Sequence, residues 1–331
     1  MGLLRQGLSL MPMIRHIYHY PIKGLSGQPL SKVTLESNKP FPYDRMFALA
    51  RPGSLVNRQA PRWAKKGYFV MLMLFEQLAR VKTWLDVDTL ELTVTDGTEL
   101  LLSANLADTA AYGEVERFIQ RLVPSLSEPP ALVRSPDGHF MDKPDNVISL
   151  INLATVRSIE EQLGIEIDPL RFRANIYIEG ARPWEEFDWI DHEIRIANTL
   201  FHVDRRNGRC GATNVNPASG RRDLDIPGAM RATFGHKDCG VYLVVCKGGE
   251  IGVGDEVIVP AIEESPRLSP RLDQGSQYGE GKYICRGCYF IYVETQGLPQ
   301  QGISPGTLFT SLPAKWRCPD CGSEKSAFHP C

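Results

Sequence analysis

Four cysteines close to the end of this 331-residue chain limit most strongly what the chain can fold into. They form two C-x-x-C pairs, Cys285 with Cys288 and Cys318 with Cys321. Each pair places two thiolates in one tight turn, so two pairs can hold one metal ion in a tetrahedron of sulfur ligands. Cysteine does not occur before Cys210, which argues against a disulfide network and favours a metal site in a reducing compartment. The spacing alone leaves iron and zinc equally open.

The length and composition of the chain bound its class. A chain of 331 residues predicts two or three domains, and an apolar content of 43% is enough to build their cores. The formal net charge of -2 indicates neither a nucleic-acid partner nor a membrane-surface partner. No apolar run reaches the roughly 20 residues that a membrane-spanning helix needs, and the first residues lack the pattern of a signal peptide. We therefore expect a cytoplasmic protein with no membrane and no nucleic-acid partner.

The hydrophobic pattern predicts a mainly β fold of the α+β class. Apolar and polar residues alternate in the strand-like stretch 83–103. Helices are predicted at 108–122, with Asp108 as the N-cap, and at 155–163, closed by Gly164. Further strands are predicted at residues 173–178, 193–197, 200–203, 241–246 and 255–259. Short strands separated by Gly and Asn turns favour a closed or rolled sheet over alternating βα units.

The residues around the cysteine pairs favour iron over zinc. The stretch 261–280 is rich in proline, serine, glycine and charge, and is predicted to be an exposed linker. The segment after it resembles rubredoxin in the runs Y-I-C-R-G-C-Y-F-I-Y, G-I-S-P-G-T-L-F and L-P-A-K-W-R-C-P-D-C-G. The resemblance implies one iron ion bound by the four cysteines and one-electron transfer. One position departs from the family, because Tyr289 stands where a glycine usually lets a main-chain N–H reach a sulfur. The resemblance also implies a small aromatic core made by Tyr292, Phe309, Trp316 and Phe328.

Short motifs are scattered through the first 260 residues. They are Y-P-I-K-G-L from Tyr20, P-Y-D-R from Pro42, R-Q-x-P-R from Arg58, D-P-L-R-F-R-A-N from Asp168, R-C-x-x-T-x-V-x-P-x-S-G from Arg209 and V-G-D-E-V from Val253. Four basic residues of these motifs stand in segments interpreted as apolar strands, namely Lys23, Arg45, Arg171 and Arg173. Burying such charges without an anionic partner is unfavourable, so they either bind an anion, lie at the surface or are ion-paired within the protein. Cys239 and Cys246 are interpreted as small buried apolar residues.

Taken together, these motifs resemble those of the MOSC superfamily, in particular the branch of the amidoxime-reducing component and the YcbX-type proteins. The resemblance covers about residues 13–260 and implies a molybdenum cofactor, with Cys210 as the thiolate ligand of its metal. The leading cysteine of the family's Cys-x-Arg-Cys run is replaced here by Asn207, but the ligand itself is present. The resemblance further implies that the anionic pterin is held by Lys23, Arg45, Asp145, Arg171, Arg173, Asn175 and Arg209, together with Cys210.

The two resemblances together imply a domain order and a reaction. We expect a MOSC N-terminal β-barrel-like domain at 13–125, a MOSC domain at 126–260, the linker at 261–280 and a rubredoxin-like domain at 281–331. The implied reaction reduces N-hydroxylated small molecules, with single electrons passing through the chain's own rubredoxin domain. A separate NAD(P)H-dependent flavin reductase is the expected electron donor. Two alternatives remain open: a sulfurtransferase in which Cys210 carries sulfur, and a non-catalytic electron-transfer or cofactor-binding protein.

Overall fold

The computed structural model of the protein describes residues 11–54, 56–59, 61–136, 138–259, 281–285, 290–319 and 322–330. The mainly β class is confirmed, because strands far outnumber helices in these ranges. The strands are β1 (Met13–His19), β2 (Gln28–Leu30), β3 (Lys32–Leu35), β4 (Phe47–Ala50), β5 (Lys82–Leu85), β6 (Glu91–Asp96), β7 (Glu99–Asn105), β8 (Ala131–Arg134), β9 (Ile148–Asn152), β10 (Ile176–Glu179), β11 (Glu193–Ile196), β12 (Thr199–Gly208), β13 (Asp238–Lys247), β14 (Gly249–Gly252), β15 (Val257–Ile258), β16 (Lys282–Cys285), β17 (Ile291–Val293) and β18 (Phe328–Pro330). The helices are α1 (Tyr112–Leu122), α2 (Leu153–Leu163) and α3 (Ile226–Phe234).

The largest sheet has eight strands in the order β15-β11-β12-β13-β9-β10-β1-β2. Its neighbouring strands are antiparallel except for β9 and β10, which are parallel and connected through α2. The sheet curls until β1 approaches β15. Met13 forms an antiparallel bridge with Glu256, and the Val257 N–H donates to the Pro12 carbonyl at 2.7 Å. The predicted rolled sheet is therefore confirmed.

The inside of the curled sheet is an apolar core. In β11, Ile194 and Ile196 are fully buried while Glu193 and Arg195 are exposed, as expected for a strand with one face inward. The neighbouring strands repeat this pattern, and Phe201 of β12 is among the fully buried residues of the same core. Each such apolar side chain contributes roughly 1.5–3 kcal/mol by leaving water. This core holds in place the strands from whose ends the candidate site is built.

A second core fills the part of the chain between β4 and β8. Strands β5, β6 and β7 form a meander, β4 pairs with β8, and α1 packs between them. Helix α1 buries Val115, Phe118 and Ile119, which stand at helical spacing. The helix starts later than predicted, because the Asp108 carboxylate accepts from the Ala110 N–H and caps a short 3-10 turn before it. The predicted domain boundaries stay predictions, although β1 and β2 lie in the sheet that also contains β9 to β13.

Helix α2 confirms its prediction, and helix α3 was not predicted. The Asn152 side chain caps α2 by accepting from the Ala154 N–H, and Gly164 ends it with a φ of 63°. Helix α3 begins after Asp225, whose carboxylate accepts from the Gly228 N–H, and ends at Gly235. The sequence contains these start and stop signals, so α3 could have been found by applying them to the run Asp-Ile-Pro-Gly.

Three strand predictions need correction in their bounds. The predicted strand at 173–178 begins only at Ile176, because Arg173 has a left-handed backbone with a φ of 53° that ends the preceding 3-10 turn. The predicted strand at 255–259 is limited to β15, since Gly254 and Asp255 belong to a turn. The strand predicted at 200–203 is longer than expected and runs to Gly208, directly before the candidate site.

The C-terminal segment forms a small sheet in the order β17-β16-β18. Its buried core contains Tyr292, Phe309 and Trp316, with Phe328 packed against it, so the predicted aromatic core is confirmed. The predicted linker and Tyr289 lie outside the described residues. None of the helices in the described ranges combines the length and the apolar content needed to cross a lipid bilayer.

Candidate cofactor and iron sites

Cys210 stands at the end of the long strand β12, where the chain turns away from the sheet. Its backbone is extended, with a φ of −121°, and it precedes a 3-10 turn at Gly211–Asn214. The Cys210 carbonyl accepts from the main-chain N–H of Thr213 at 3.1 Å and from the Thr213 hydroxyl at 2.9 Å. The Cys210 side chain is partly exposed. A turn held in this way presents one thiol at a fixed place beyond the sheet.

Two of the predicted cofactor residues hold this turn through main-chain carbonyls. The Arg171 guanidinium donates to the Asn214 carbonyl at 3.2 Å and forms an ion pair with Asp223 at 2.8 Å. The Arg209 guanidinium donates to the carbonyls of Cys239 and Phe172, at 2.8 Å from Nε and 3.0 Å from Nη1. Arg171 and Arg209 therefore position the Cys210 turn, and their direct contact with an anionic cofactor stays a prediction.

The ring of Tyr20 contacts two more of the predicted arginines. The guanidinium carbons of Arg45 and Arg173 are 4.3 and 4.4 Å from the centroid of its ring. Arg45 also donates to the Arg173 carbonyl at 3.0 Å and pairs with Asp44 at 2.5 Å. Both arginines have left-handed backbones, with φ of 51° and 53°. Side chains larger than glycine adopt this conformation at a cost, and such positions cluster at functional sites.

Lys23 extends this arrangement towards a second carboxylate. Its ammonium group is buried, donates to the Phe140 carbonyl at 2.8 Å and pairs with Asp142 at 2.5 Å. Lys66 approaches the same carboxylate at 3.9 Å. The two lysines overcome the effect of burial and hold the pKa of Asp142 well below its usual value. We call this group the basic cluster, and its charged members are Lys23, Asp44, Arg45, Lys66, Asp142 and Arg173.

The basic cluster contains one arginine beyond its two closest ion pairs. Lys23 pairs with Asp142 and Arg45 pairs with Asp44, and Arg173 adds a further positive charge beside them. No carboxylate in the described part of the chain forms an ion pair with Arg173. Burial, and then the neighbouring charge of Arg45, lower the pKa of Arg173 to about 10. A partly buried excess of positive charge is unfavourable until an anion joins it, so the basic cluster fits an anionic group such as a phosphate.

The four basic residues do not lie in strands, which corrects the sequence interpretation. Lys23 and Arg45 are in turns, Arg171 is in the 3-10 turn Pro169–Phe172, and Arg173 follows that turn. Turns leave a side chain free to point along the edge of the sheet, whereas a strand residue in the core faces apolar neighbours. The ion-paired alternative holds for Lys23, Arg45 and Arg171, and little of each of these basic side chains is exposed.

The remaining two predicted cofactor residues make contacts within the protein. The side-chain oxygen of Asn175 accepts from the Ser149 hydroxyl at 2.9 Å, and its side-chain amide donates to the Tyr18 carbonyl at 3.3 Å. Asn175 thereby ties together β1, β9 and the segment before β10. Asp145 is half exposed and pairs with Arg205 at 2.5 Å. Their contact with a cofactor stays a prediction.

The iron site is represented by one cysteine from each C-x-x-C pair, because Cys288 and Cys321 lie outside the described residues. Cys285 and Cys318 are both buried. The Cys285 N–H donates to the Phe290 carbonyl at 2.9 Å, and the Gly322 N–H donates to the Cys318 carbonyl at 2.9 Å. Cys285 and Cys318 are thus each held by a main-chain hydrogen bond. Two buried thiols held in this way fit two of the four thiolate ligands of a tetrahedral iron site.

The two candidate sites meet in one apolar cluster. Met71, Met73, Cys285 and Cys318 are its buried members, and Cys210 packs against them. No sequence signal singles out the two methionines, since Met is common in cores and nothing in their pattern marks an interface. The cysteine predicted to bind molybdenum and two cysteines predicted to bind iron therefore share one set of neighbours.

Sequence reasoning missed three further residues at the site and misplaced one cysteine. Tyr20 and Asp44 belong to the quoted motifs Y-P-I-K-G-L and P-Y-D-R, so the signal was present but only the basic residues were singled out. Asp142 carries no such signal, because its pairing with Lys23 joins residues 119 positions apart. Cys239 is buried as predicted, but Cys246 is exposed at the end of β13, so that interpretation was wrong.

Two family models match parts of this chain. Residues 137–258 match the MOSC domain, and residues 282–328 match rubredoxin. The first range contains the Cys210 turn and most of the large sheet. The second contains all four cysteines of the predicted iron site.

Similar proteins match mainly in the C-terminal segment. Rubredoxin-1 of Alcanivorax borkumensis is 51% identical over 47 residues, which are 14% of this chain and 87% of that protein. The high molecular weight rubredoxin of Moorella thermoacetica is 39% identical over 69 residues, or 19% of this chain, and the match spans only 30% of that protein. Among solved structures, YiiM from Geobacillus stearothermophilus has a TM-score of 0.28 and 19% identity, covering 34% of this chain and 54% of its own. The YuaD protein from Bacillus subtilis has a TM-score of 0.36 and 12% identity, covering 77% of this chain and 98% of its own.

Proposed function

The chain belongs to the MOSC and rubredoxin families, through residues 137–258 and 282–328 respectively, and on this premise we propose that it is a molybdenum-cofactor-dependent oxidoreductase. We propose that it reduces N-hydroxylated compounds such as amidoximes and hydroxylamines. The reaction consumes two electrons and two protons, breaks the N–O bond, and leaves an N–H group and water. The electrons would come from a separate NAD(P)H-dependent flavin reductase and enter through the rubredoxin domain, in the cytoplasm.

One observation carries this proposal. Cys210, the predicted molybdenum ligand, lies in the same apolar cluster as Cys285 and Cys318, two of the predicted iron ligands. The two buried cysteines of the rubredoxin domain contact the body of the chain at Met71 and Met73, beside the Cys210 turn. A tethered carrier also has a high effective concentration at its target. The arrangement therefore supports electron transfer within one chain.

Different residues of the chain would bind the metal, bind the pterin and position the site. When bound, the molybdenum cofactor supplies two-electron oxygen-transfer chemistry, and rubredoxin-type iron supplies single electrons. The Cys210 thiolate would be the protein ligand of the molybdenum. The excess positive charge of the basic cluster would hold the anionic pterin and its phosphate through Lys23, Arg45 and Arg173. Arg171 and Arg209 would keep the Cys210 turn in place.

Metal analysis of protein made in a host that synthesises molybdopterin tests the proposal. We expect near-equal iron and molybdenum, a ferric-thiolate absorption that bleaches on reduction, and consumption of an amidoxime by the reduced protein. Zinc in place of iron, with no molybdenum, would remove the electron-transfer mechanism. Cyanide-labile sulfur on Cys210, without amidoxime turnover, would favour a sulfurtransferase instead.

Arg173→Gln should lower molybdenum content while leaving the cofactor-free protein at least as stable as the wild type. The variant loses a charge-assisted contact, so retention of cofactor should fall about tenfold or more. Removing a partly buried cation next to Arg45 relieves repulsion, and Gln keeps the same Cβ atom at a φ of 53°. Metal analysis and thermal melting measure the two effects.

A control for this prediction is Arg157→Gln. Arg157 is exposed and pairs with Glu179 on the outer surface, so its loss should change neither quantity. Wild-type molybdenum content in Arg173→Gln would show that the basic cluster does not hold the cofactor.

A further inference from the structure

The segment between Val70 and Met73 faces two directions. Val70 and Leu72 are buried in the core that lies among β4 to β8 and α1. Met71 and Met73 belong instead to the apolar cluster that includes two cysteines of the rubredoxin domain. Alternate residues of this short segment thus pack against the body of the chain and against the rubredoxin domain.

The burial of these two methionines depends on the rubredoxin domain. Only 5% of Met71 and 4% of Met73 is exposed. The other members of their cluster come from the rubredoxin domain, from the Cys210 turn and from the adjacent Leu74. Neither methionine belongs to the cores of the body, so without the rubredoxin domain their side chains would form an apolar surface beside Cys210. Methionine suits such a surface, because its flexible thioether adapts to a partner.

The edge of the contact brings main chains close together and includes charged groups. A Cβ atom placed on Gly322 of the rubredoxin domain would lie 3.3 Å from the Cα atom of Gly67, so the two backbones approach closely. The Arg51 guanidinium donates to the Gly67 carbonyl at 3.2 Å. Burial, and then the charge of Arg317 on the rubredoxin domain, lower the pKa of Arg51, while Glu324 opposes this effect. The apolar cluster is thus bordered by polar groups from both sides, as docking surfaces are.

From these contacts we propose that Met71, Met73 and Leu74 form the docking surface for the chain's own rubredoxin domain, which in the docked position shields Cys210 from large molecules in solvent. The inference rests on the proposed function in one respect, namely that the contact serves to deliver electrons to the Cys210 site. The docked domain brings its iron-binding turns to that site and, at the same time, closes one side of it. A separate electron carrier would be excluded from the same surface.

The test is the labelling rate of Cys210 with a maleimide-linked polyethylene glycol, a reagent too bulky to pass between docked domains. The protein is the full chain with iron but without molybdenum cofactor, in a Cys246→Ser background because Cys246 is exposed. Met73→Lys removes the burial of one methionine and places a charge in the surface. We expect the rate at Cys210, identified by peptide mapping, to rise about tenfold to a hundredfold. Met73→Leu keeps the volume and the apolar character, so it should label at the wild-type rate.

A second variant separates docking from folding. Leu74→Lys changes a partly buried residue at the same surface and should raise the rate in the same direction, with an unchanged ferric-thiolate spectrum and unchanged melting of the body. Wild-type labelling rates in both lysine variants would overturn the docking surface, even if the protein reduces amidoximes. Faster labelling in both variants would uphold it, even if molybdenum-loaded protein reduces no N-hydroxylated compound and the proposed function fails.

Discussion

Cys210→Ala is expected to abolish reduction of N-hydroxylated compounds while the iron site stays intact. Loss of an outer partner of a metal ligand already lowers metal affinity or activity by about 10- to 100-fold, so loss of the ligand itself should lower them by at least about 100-fold. Iron should remain, because its four predicted ligands lie in the rubredoxin domain, where Cys285 and Cys318 are each held by a main-chain hydrogen bond. Molybdenum and iron contents, measured together with amidoxime turnover, check the prediction.

The matched control is Cys246→Ala, which removes an exposed thiol at the far end of β13 from the neighbourhood of Cys210. It should retain both metals and full turnover. Cys210→Ser should behave like the alanine variant, because a hydroxyl is a poor substitute for a soft thiolate ligand. Full molybdenum content in Cys210→Ala would mean that another group binds the metal. Loss of both metals would mean that the variant perturbs the contact between the domains rather than one ligand.

The rubredoxin domain and its aromatic core could be predicted from the sequence. Its predicted metal ligands stand two by two at fixed spacing, and its core consists of aromatic residues close to them in the chain. Tyr292, Phe309 and Trp316 meet within a segment of 25 residues, so few alternative arrangements compete. A small domain of this kind depends on local chemistry, and local chemistry is what spacing and residue type express.

The body of the chain could be predicted only in part. Strands with one buried face and the capped helix α2 follow from local patterns, and they were found. Arg173 was assigned to a strand, because a left-handed backbone at a residue other than glycine leaves no trace in the hydrophobic pattern. The neutralising partner Asp142 became apparent only in the fold, because it reaches Lys23 across more than one hundred residues. Met71 and Met73 were not predicted for a related reason, because a docking surface inside the protein has the same composition as a core.

A buried carboxylate that the sequence did not mark lies beside the start of α2. Glu186 is fully buried, and its Oε2 atom accepts from the Thr155 hydroxyl at 2.9 Å and from the Asn152 amide at 3.0 Å. Both donors stand at the start of α2. Burial raises the pKa of Glu186 from 4.5 to about 7, and the two hydrogen bonds only partly oppose the effect of burial. Glu186 is therefore protonated in the folded protein at mildly acidic pH, whereas in the unfolded chain it is ionised.

The raised pKa of Glu186 should make the protein less stable as the pH rises. Below about pH 4.5 the residue is protonated in both states and contributes no difference. Between about pH 4.5 and pH 7 the unfolded chain releases the proton and the folded chain retains it, so the free energy of unfolding falls with increasing pH. A shift of this size corresponds to a total loss of about 3 kcal/mol, because each pKa unit is worth about 1.4 kcal/mol. Glu186→Gln should remove this part of the pH dependence.

Urea unfolding of the iron-loaded, cofactor-free protein at several pH values from 4.5 to 8 measures the effect. The quantity compared is the free energy of unfolding of Glu186→Gln minus that of the wild type, because the contributions of the other titrating groups cancel in this difference. The variant should gain stability relative to the wild type as the pH rises, by about 3 kcal/mol in total. Glu185→Gln is the matched control. Glu185 is adjacent to Glu186 in the chain but is partly exposed and pairs with Arg182, so its replacement should leave the pH slope unchanged. A difference between Glu186→Gln and wild type that stays constant with pH would mean that Glu186 is ionised in the folded protein. The carboxylate would then be a buried anion at the start of α2, stabilised by the Thr155 hydroxyl and the Asn152 amide.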